Sequence, residues 1–251
     1  MMRTIMTVLG LFGLLFFGGC AQQPKANTRS EPVVISADKG ALLSVISLTP
    51  RAGQAASDVR QAYFDAAFPR ARENGMRVLG ALPVTAIGVG EFAPQVVSFY
   101  AWPDLAAEQR FSTHPDWPAV KATRPLGWEA LRIHDVVLER DLELTFRPDK
   151  TYTMASAWID PAHPDAYGTY LRNIETGVAD IGGRFIYQMV NPSLSSLRGD
   201  SAPHRVTFVE WDTADGLQRF RESETLKTHG HLLNQGTQRF ELLVLANHRL
   251  N

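Results

Sequence analysis

Glu210 stands in Val206-Thr207-Phe208-Val209-Glu210-Trp211, a stretch otherwise made of strand-forming residues. By two-residue alternation it shares a face with Val206 and Phe208. Facing an enclosed space, its carboxyl would be desolvated, raised in pKa and suited to general-base chemistry; at a strand end it would simply reach solvent. Arg132 and His134 share a face of Leu131-Arg132-Ile133-His134-Asp135-Val136 in the same way. Turned inward they could bind an anion or shuttle a proton, while a satisfied structural histidine is the plainer reading. Arg77 and Arg184 each follow a helix-ending glycine. Two guanidinium groups so placed could hold a carboxylate by bidentate hydrogen bonds, or each could bridge a helix end to a neighbouring acid. Tyr187, with Tyr100, Trp102, Trp158 and Trp211, could line a pocket for a planar ligand or pack a core.

Other chemistries fall away. The chain has no G-x-S-x-G, H-E-x-x-H or G-x-x-x-x-G-K-[ST] run, and no third glycine follows Gly88-Val89-Gly90. His229-Gly230-His231 would not share a helix face and has no nearby third ligand, so no metal is expected, and no motif implies a cofactor. Net charge is −1 without a basic run, so no nucleic-acid partner is expected. Cys20 is the single cysteine, which excludes an intramolecular disulfide.

The elements that must position these residues come in two copies. Gly75-Met76-Arg77-Val78-Leu79 matches Gly182-Gly183-Arg184-Phe185-Ile186, and Tyr63 matches Tyr170, at an offset of 107. Trp102 and Gln109-Arg110-Phe111 match Trp211 and Gln218-Arg219-Phe220 at an offset of 109. Ordered matches at near-constant spacing point to duplication. In the second copy, Tyr152–Ile159 reads as a strand and His163-Pro164-Asp165 as a helix start. That helix runs to Ile181, where Gly182 caps it. Arg184–Val190 is a strand, residues 191–203 a turn-rich connection, and Arg205–Trp211 a strand. Asp212-Thr213 opens a second helix, and Phe240–Ala246 is the last strand. The first copy gives strands at Leu42–Leu48, Arg77–Ile87, Val96–Trp102 and Leu131–Leu138. Its helices are Ser57–Asn74, which Pro69 should kink or split, and a stretch from Asp104. Leu142–Phe146 is an extra edge strand joining the copies.

Each copy is thus βαββαβ, a ferredoxin-like α+β unit, over residues 41–140 and 150–248. A four-stranded sheet with both helices on one face leaves about 350 Å² bare on the other. Monomers seldom leave so large an apolar area in water. The two copies should therefore cover each other and close a barrel within one chain. The second copy, through Tyr167/Tyr170, Gly182-Gly183-Arg184-Phe185 and Val206–Trp211, resembles a small bacterial domain-of-unknown-function family. That family belongs to the dimeric α+β barrel superfamily, with cofactor-free antibiotic-biosynthesis monooxygenases, haem-degrading enzymes and muconolactone isomerases. The resemblance implies the barrel fold and an acid at the place of Glu210; it leaves the chemistry open.

The N-terminus reads as an address. Met1-Met2-Arg3 precedes an apolar run of 13 residues, Ile5 to Phe17, the length of a signal-peptide core and too short to span a bilayer. Phe17-Gly18-Gly19-Cys20 resembles a bacterial lipoprotein lipobox, with Phe17 where leucine is usual. The resemblance implies a signal peptide over 1–19, lipidation of Cys20, and a membrane partner reached through the lipid anchor. Ala21 after the cysteine implies the outer membrane, facing the periplasm. Residues 20–40 would then form the lipidated start and a flexible tether.

Two readings of function follow. One is an envelope lipoprotein that binds a small aromatic or carboxylated ligand, or an envelope partner. The other is a cofactor-light enzyme of the monooxygenase or isomerase kind, with Glu210 or His134 as base and Arg184 as anion clamp.

Overall fold

The computed structural model describes residues 31–246. The signal segment 1–19 and Cys20 lie outside them. Residues 33–37 of the expected tether are not tether: they form strand β1 (Val33–Ala37).

The first half comprises β2 (Leu42–Pro50), α1 (Gln54–Glu73), β3 (Arg77–Val89) and β4 (Val96–Trp102). Short helices α2 (Leu105–Ser112), α3 (Trp117–Ala122) and α4 (Arg124–Gly127) then lead to β5 (Trp128–Val137). After β6 (Leu142–Phe146) the second half follows with β7 (Thr151–Ile159), α5 (Ala166–Asp180) and β8 (Gly183–Val190). It ends with β9 (Ser193–Ser196), β10 (Arg205–Trp211), α6 (Gly216–Glu222), α7 (Glu224–Gly236) and β11 (Thr237–Ala246). Strands β2, β4 and β5 begin 109 residues before β7, β10 and β11, the offset of the later sequence matches.

Several helix ends differ from expectation. α1 runs through Pro69 without splitting, because the carbonyl deprived of a partner belongs to exposed Asp65. The second helix of the second half starts later, at Asp215, and is broken where Ser223 turns extended and caps α7 through Leu226. Gly75 and Gly182 end α1 and α5 at φ 82° and 78°, in the left-handed region that glycine adopts without cost.

The strands form one nine-stranded antiparallel order, β8-β10-β7-β11-β3-β4-β2-β5-β9. Within it each half has the ferredoxin-like order, and the halves are hydrogen-bonded edge to edge. β11 pairs with the far end of β3, and β5 pairs with β9. The last strand of each half therefore joins the second strand of the other, provided β8 and β9 are taken as one interrupted strand. The interruption has a local cause. Asn191 takes φ 47° and Pro192 has no N–H to give a ladder. The connection expected over 191–203 thus contains the strand that closes the barrel.

Alternation sorts the side chains into three cores. Leu43, Val45, Val97, Phe99, Met154, Phe208, Leu243 and Leu245 fill the lumen. Tyr167, Tyr170, Ile174 and Val178 on one stripe of α5 pack the outer face of the second half, with Trp211 and Phe220. Met76, Trp102, Phe111 and Trp117 do the same for the first half. β6 is not an edge strand of the main sheet. It pairs with β1 in a separate ribbon whose Ile35, Leu142, Leu144 and Phe146 enter the lumen cluster. Gly80 makes room for that ribbon: a Cβ there would collide with Val33 Cγ1.

Candidate functional site: an aromatic cavity in the first half

The expected site residues lie in or around the lumen, but at separate places. Glu210 is buried, accepts from Tyr152 Oη at 3.1 Å and from Arg184 NH2 at 2.9 Å, and so has both oxygens engaged. The Arg184 side chain is 70% exposed, and it closes over Glu210 from outside. Arg77 instead donates to the Ser36 carbonyl on β1 at 3.3 Å. The two arginines, each held by its own partner, do not form a shared clamp. Tyr187 packs on the lumen cluster beside Phe208.

His134 is 2% exposed, with no well-formed hydrogen bond on either ring nitrogen among the described residues. Burial, helped by the positive charge of Arg132, pushes its pKa down to about 4, so the ring is neutral at physiological pH. Arg132 beside it is committed to Asp200 at 3.0 Å and Glu241 at 2.6 Å. Glu210 takes no part in these contacts. His229 lies against Asn173 and His231 against the Thr228 carbonyl. Among the described residues no three metal-binding side chains come together.

The open space lies elsewhere, between the sheet of the first half and its helices. A cavity of about 330 Å³ is walled by Phe64, Phe68, Tyr100, Phe111, Trp117 and Trp128. Several polar side chains line it, among them Ser44, Asp135, Glu108 and Arg124. Ser44 on β2 donates to Asp135 on β5, a pairing set by their direct register. Burial raises Asp135 to about 6; the Ser44 hydrogen bond and the Arg124 charge oppose that rise, while Glu108 adds to it. Glu108 on α2 is also raised by burial, against the pull of Ser112 and Lys121. Arg124 on α4 is 7% exposed and gives both Nε and NH2 to the single oxygen of Tyr63, at 3.0 and 2.8 Å. An apolar-walled cleft with a few convergent polar groups and a carboxyl poised near neutrality has the makings of a ligand site.

The second half has the matching cavity, and the contrast is informative. It measures about 140 Å³ and its lining is almost wholly apolar. At the offset of 109, Val244, Leu217 and Leu233 take the places of Asp135, Glu108 and Arg124, and the latter two line it. Sequence reasoning passed over Asp135 although its strand carried the signal. With Arg132 and His134 inward, Asp135 had to face the helices among Leu131 and Ile133, an odd place for a carboxylate. Arg124 gave no such sign, since its α4 turn is too short to show periodicity.

Strand order and register thus define an α+β barrel of two fused ferredoxin-like halves, with a polar-set cavity in one half only. No protein-family model matches the sequence, and no curated protein does. Among solved structures the chain is similar to an anthrone oxidase-like protein, at 13% identity and TM-score 0.47, over 85% of this chain and 94% of that one. It is similar to a mutant chlorite dismutase from Candidatus Nitrospira defluvii, at 9% identity and TM-score 0.47, over 84% and 93%. A third is a candidate monooxygenase from Lactobacillus acidophilus NCFM, at 10% identity and TM-score 0.41, over 83% and 94%.

Proposed function

We propose that the first-half cavity is the working site, that it takes a small flat aromatic molecule, and that Asp135 exchanges a proton with it. The observation that supports this is the asymmetry of the duplication. The second half carries Val244, Leu217 and Leu233 at the equivalent places, the last two lining its cavity, so the scaffold does not require charged groups there. A carboxyl with a pKa of about 6 is matched to accept a proton from an acidic O–H or C–H near neutral pH. Ser44 holds its orientation, and the aromatic walls exclude water from the transfer. This is base chemistry of the cofactor-light kind, placed outside the barrel lumen rather than within it. Trp117 and Trp128 line the cavity and report on it. Titrating the protein with 2-naphthol should give saturable quenching of their fluorescence, and Asp135→Asn should abolish the pH dependence of that binding near pH 6. Quenching that never saturates would end the proposal.

We also propose that Cys20 carries the lipid that holds the protein to the envelope membrane, facing the periplasm. The lipobox-like Phe17-Gly18-Gly19-Cys20 supports this reading. Among the described residues no helix is long and apolar enough to cross a membrane. Metabolic labelling with an alkynyl palmitate should mark the wild type and not Cys20→Ser; equal labelling of both would overturn it.

A further inference from the structure

The cavity holds a cation that no carboxylate touches among the described residues. Arg124 is 7% exposed, and among the described residues no carboxylate oxygen lies within ion-pair distance of its guanidinium. Its described hydrogen bonds converge on one acceptor, the Tyr63 hydroxyl, although a guanidinium carries five N–H donors in a rigid fork. The rings of Tyr63 and Trp117 lie 5.5 and 5.2 Å from its central carbon. Such faces soften the loss of water around a cation but supply no opposite charge. A buried charge left unpaired is costly, and buried charges in folded proteins are as a rule paired. The fold itself does not ask for it: Leu233 fills the equivalent place in the second half.

We propose that Arg124 is the docking point for the acidic group of the ligand, which makes the ligand class an aromatic carboxylate. This rests on the reading of the cavity as a ligand site. A carboxylate matches the fork of an arginine edge in two parallel hydrogen bonds, while the ring it carries lies between Phe64, Trp117 and Trp128. Asp135 lies within the electrostatic reach of Arg124 and faces the same space. The part of the ligand beyond its carboxylate therefore meets Asp135, and an aromatic acid with an ionisable hydroxyl would satisfy both groups at once. Exposed Lys121 at the rim adds a second positive charge on the way in.

The test compares two near-isosteric probes, 2-naphthoate and 2-naphthamide, by calorimetric titration of the full chain at pH 6. The wild type should bind the acid at least tenfold more tightly than the amide. Arg124→Leu, which copies the second half, should erase that preference while keeping the amide affinity, and Arg124→Lys should retain part of it. Equal binding of both probes by the wild type would overturn the role of Arg124 and leave the cavity reading standing. Binding of neither would bring down both. Should Arg124→Leu fail to fold, the wild type and Arg124→Lys still decide the question through the acid-to-amide ratio.

Discussion

Arg132 and Glu241 occupy the same place in the two halves, 109 residues apart, and their side chains meet at 2.6 Å inside the barrel. Both are almost wholly buried, at 5% and 7% exposure. Duplication gave the halves one strand position each, and divergence made the two residues a base and an acid that hold the halves together. Arg239 adds a second hydrogen bond to Glu241 at 3.0 Å, and Asp200 holds the other side of Arg132.

Breaking a buried pair typically costs about 3–5 kcal/mol, and removing Glu241 leaves buried Arg132 with Asp200 as its remaining carboxylate, which places the cost at the low end. Glu241→Gln should therefore destabilise the protein by about 3 kcal/mol, seen as a lower urea midpoint at unchanged slope. A loss below about 1 kcal/mol would mean that water reaches the pair and that it does not lock the halves.

The neighbours His134 and Asp135 point to opposite faces of β5, and their pKa values move in opposite senses. His134 is pushed down to about 4. Between about pH 6.5 and 4 the unfolded chain binds its proton and the folded one does not, so this histidine makes stability fall as pH falls. Asp135 is raised to about 6. Between about pH 4 and 6 the folded chain holds a proton that the unfolded one has lost, so this carboxyl makes stability fall as pH rises. The two partly cancel in the wild type. His134→Leu, copying Leu243, should unmask a decline in stability from pH 4 to 6. Asp135→Val, copying Val244, should unmask a decline from pH 6.5 to 4 and raise stability at pH 7. Chemical unfolding at five pH values measures both. Parallel profiles for the two variants would show that neither group titrates as its surroundings dictate.

The halves and most of their strands were legible because alternation is a local signal and the repeat aligns one half with the other; the closed barrel followed from the bare sheet face each half would otherwise leave in water. The closing strand β9 was not legible: four residues rich in serine read as turn, and only pairing with β5 makes them a strand. Of the ribbon, β6 was read as a strand, but β1 and its pairing with β6 were not, since the partner residues stand more than 100 positions apart. Glu210 and His134 were visible as polar residues in apolar strands, but alternation left open which face lines the barrel; in the structure both are buried. What the sequence could not show was that Arg184 and Tyr152 already claim Glu210, and that the roomier space lies on the other face of the sheet.

Gly80 records how the first half receives the ribbon. Both second strands carry a bulge at equivalent places, skipping Leu79 and Ile186. The residue after it is Gly80 in one half and Tyr187 in the other. Where Tyr187 fills its own space against Phe208, Gly80 yields that space to Val33 and Ile35. Gly80→Val should push β1 off the lumen at a cost of about 1–3 kcal/mol. Faster amide exchange confined to residues 33–37 and 142–146 would locate the effect; exchange unchanged there would show that the ribbon tolerates the added side chain.

Two carboxyls remain in competition as the reacting group, and their surroundings separate them. Glu210 receives a phenol and a guanidinium, and neither hydrogen bond leaves a free face toward open space. Asp135 receives one hydroxyl, Ser44, and its remaining capacity faces a cavity of about 330 Å³. Glu210→Gln should lower stability by about 1 kcal/mol through the weakened contact with exposed Arg184, and should change naphthoate affinity by less than twofold. Asp135→Asn should instead flatten the pH dependence of that affinity. An anion arriving beside Asp135 disfavours its ionised form, so wild-type binding should weaken as pH rises through 6 and beyond. The neutral amide that replaces the carboxyl in Asp135→Asn has no proton to lose, and that variant should keep only the smaller decline that Glu108 contributes. If Glu210→Gln rather than Asp135→Asn flattened the profile, the reacting group would lie at the barrel mouth beside Tyr152, and the helix-side cavity would be a packing defect of the first half.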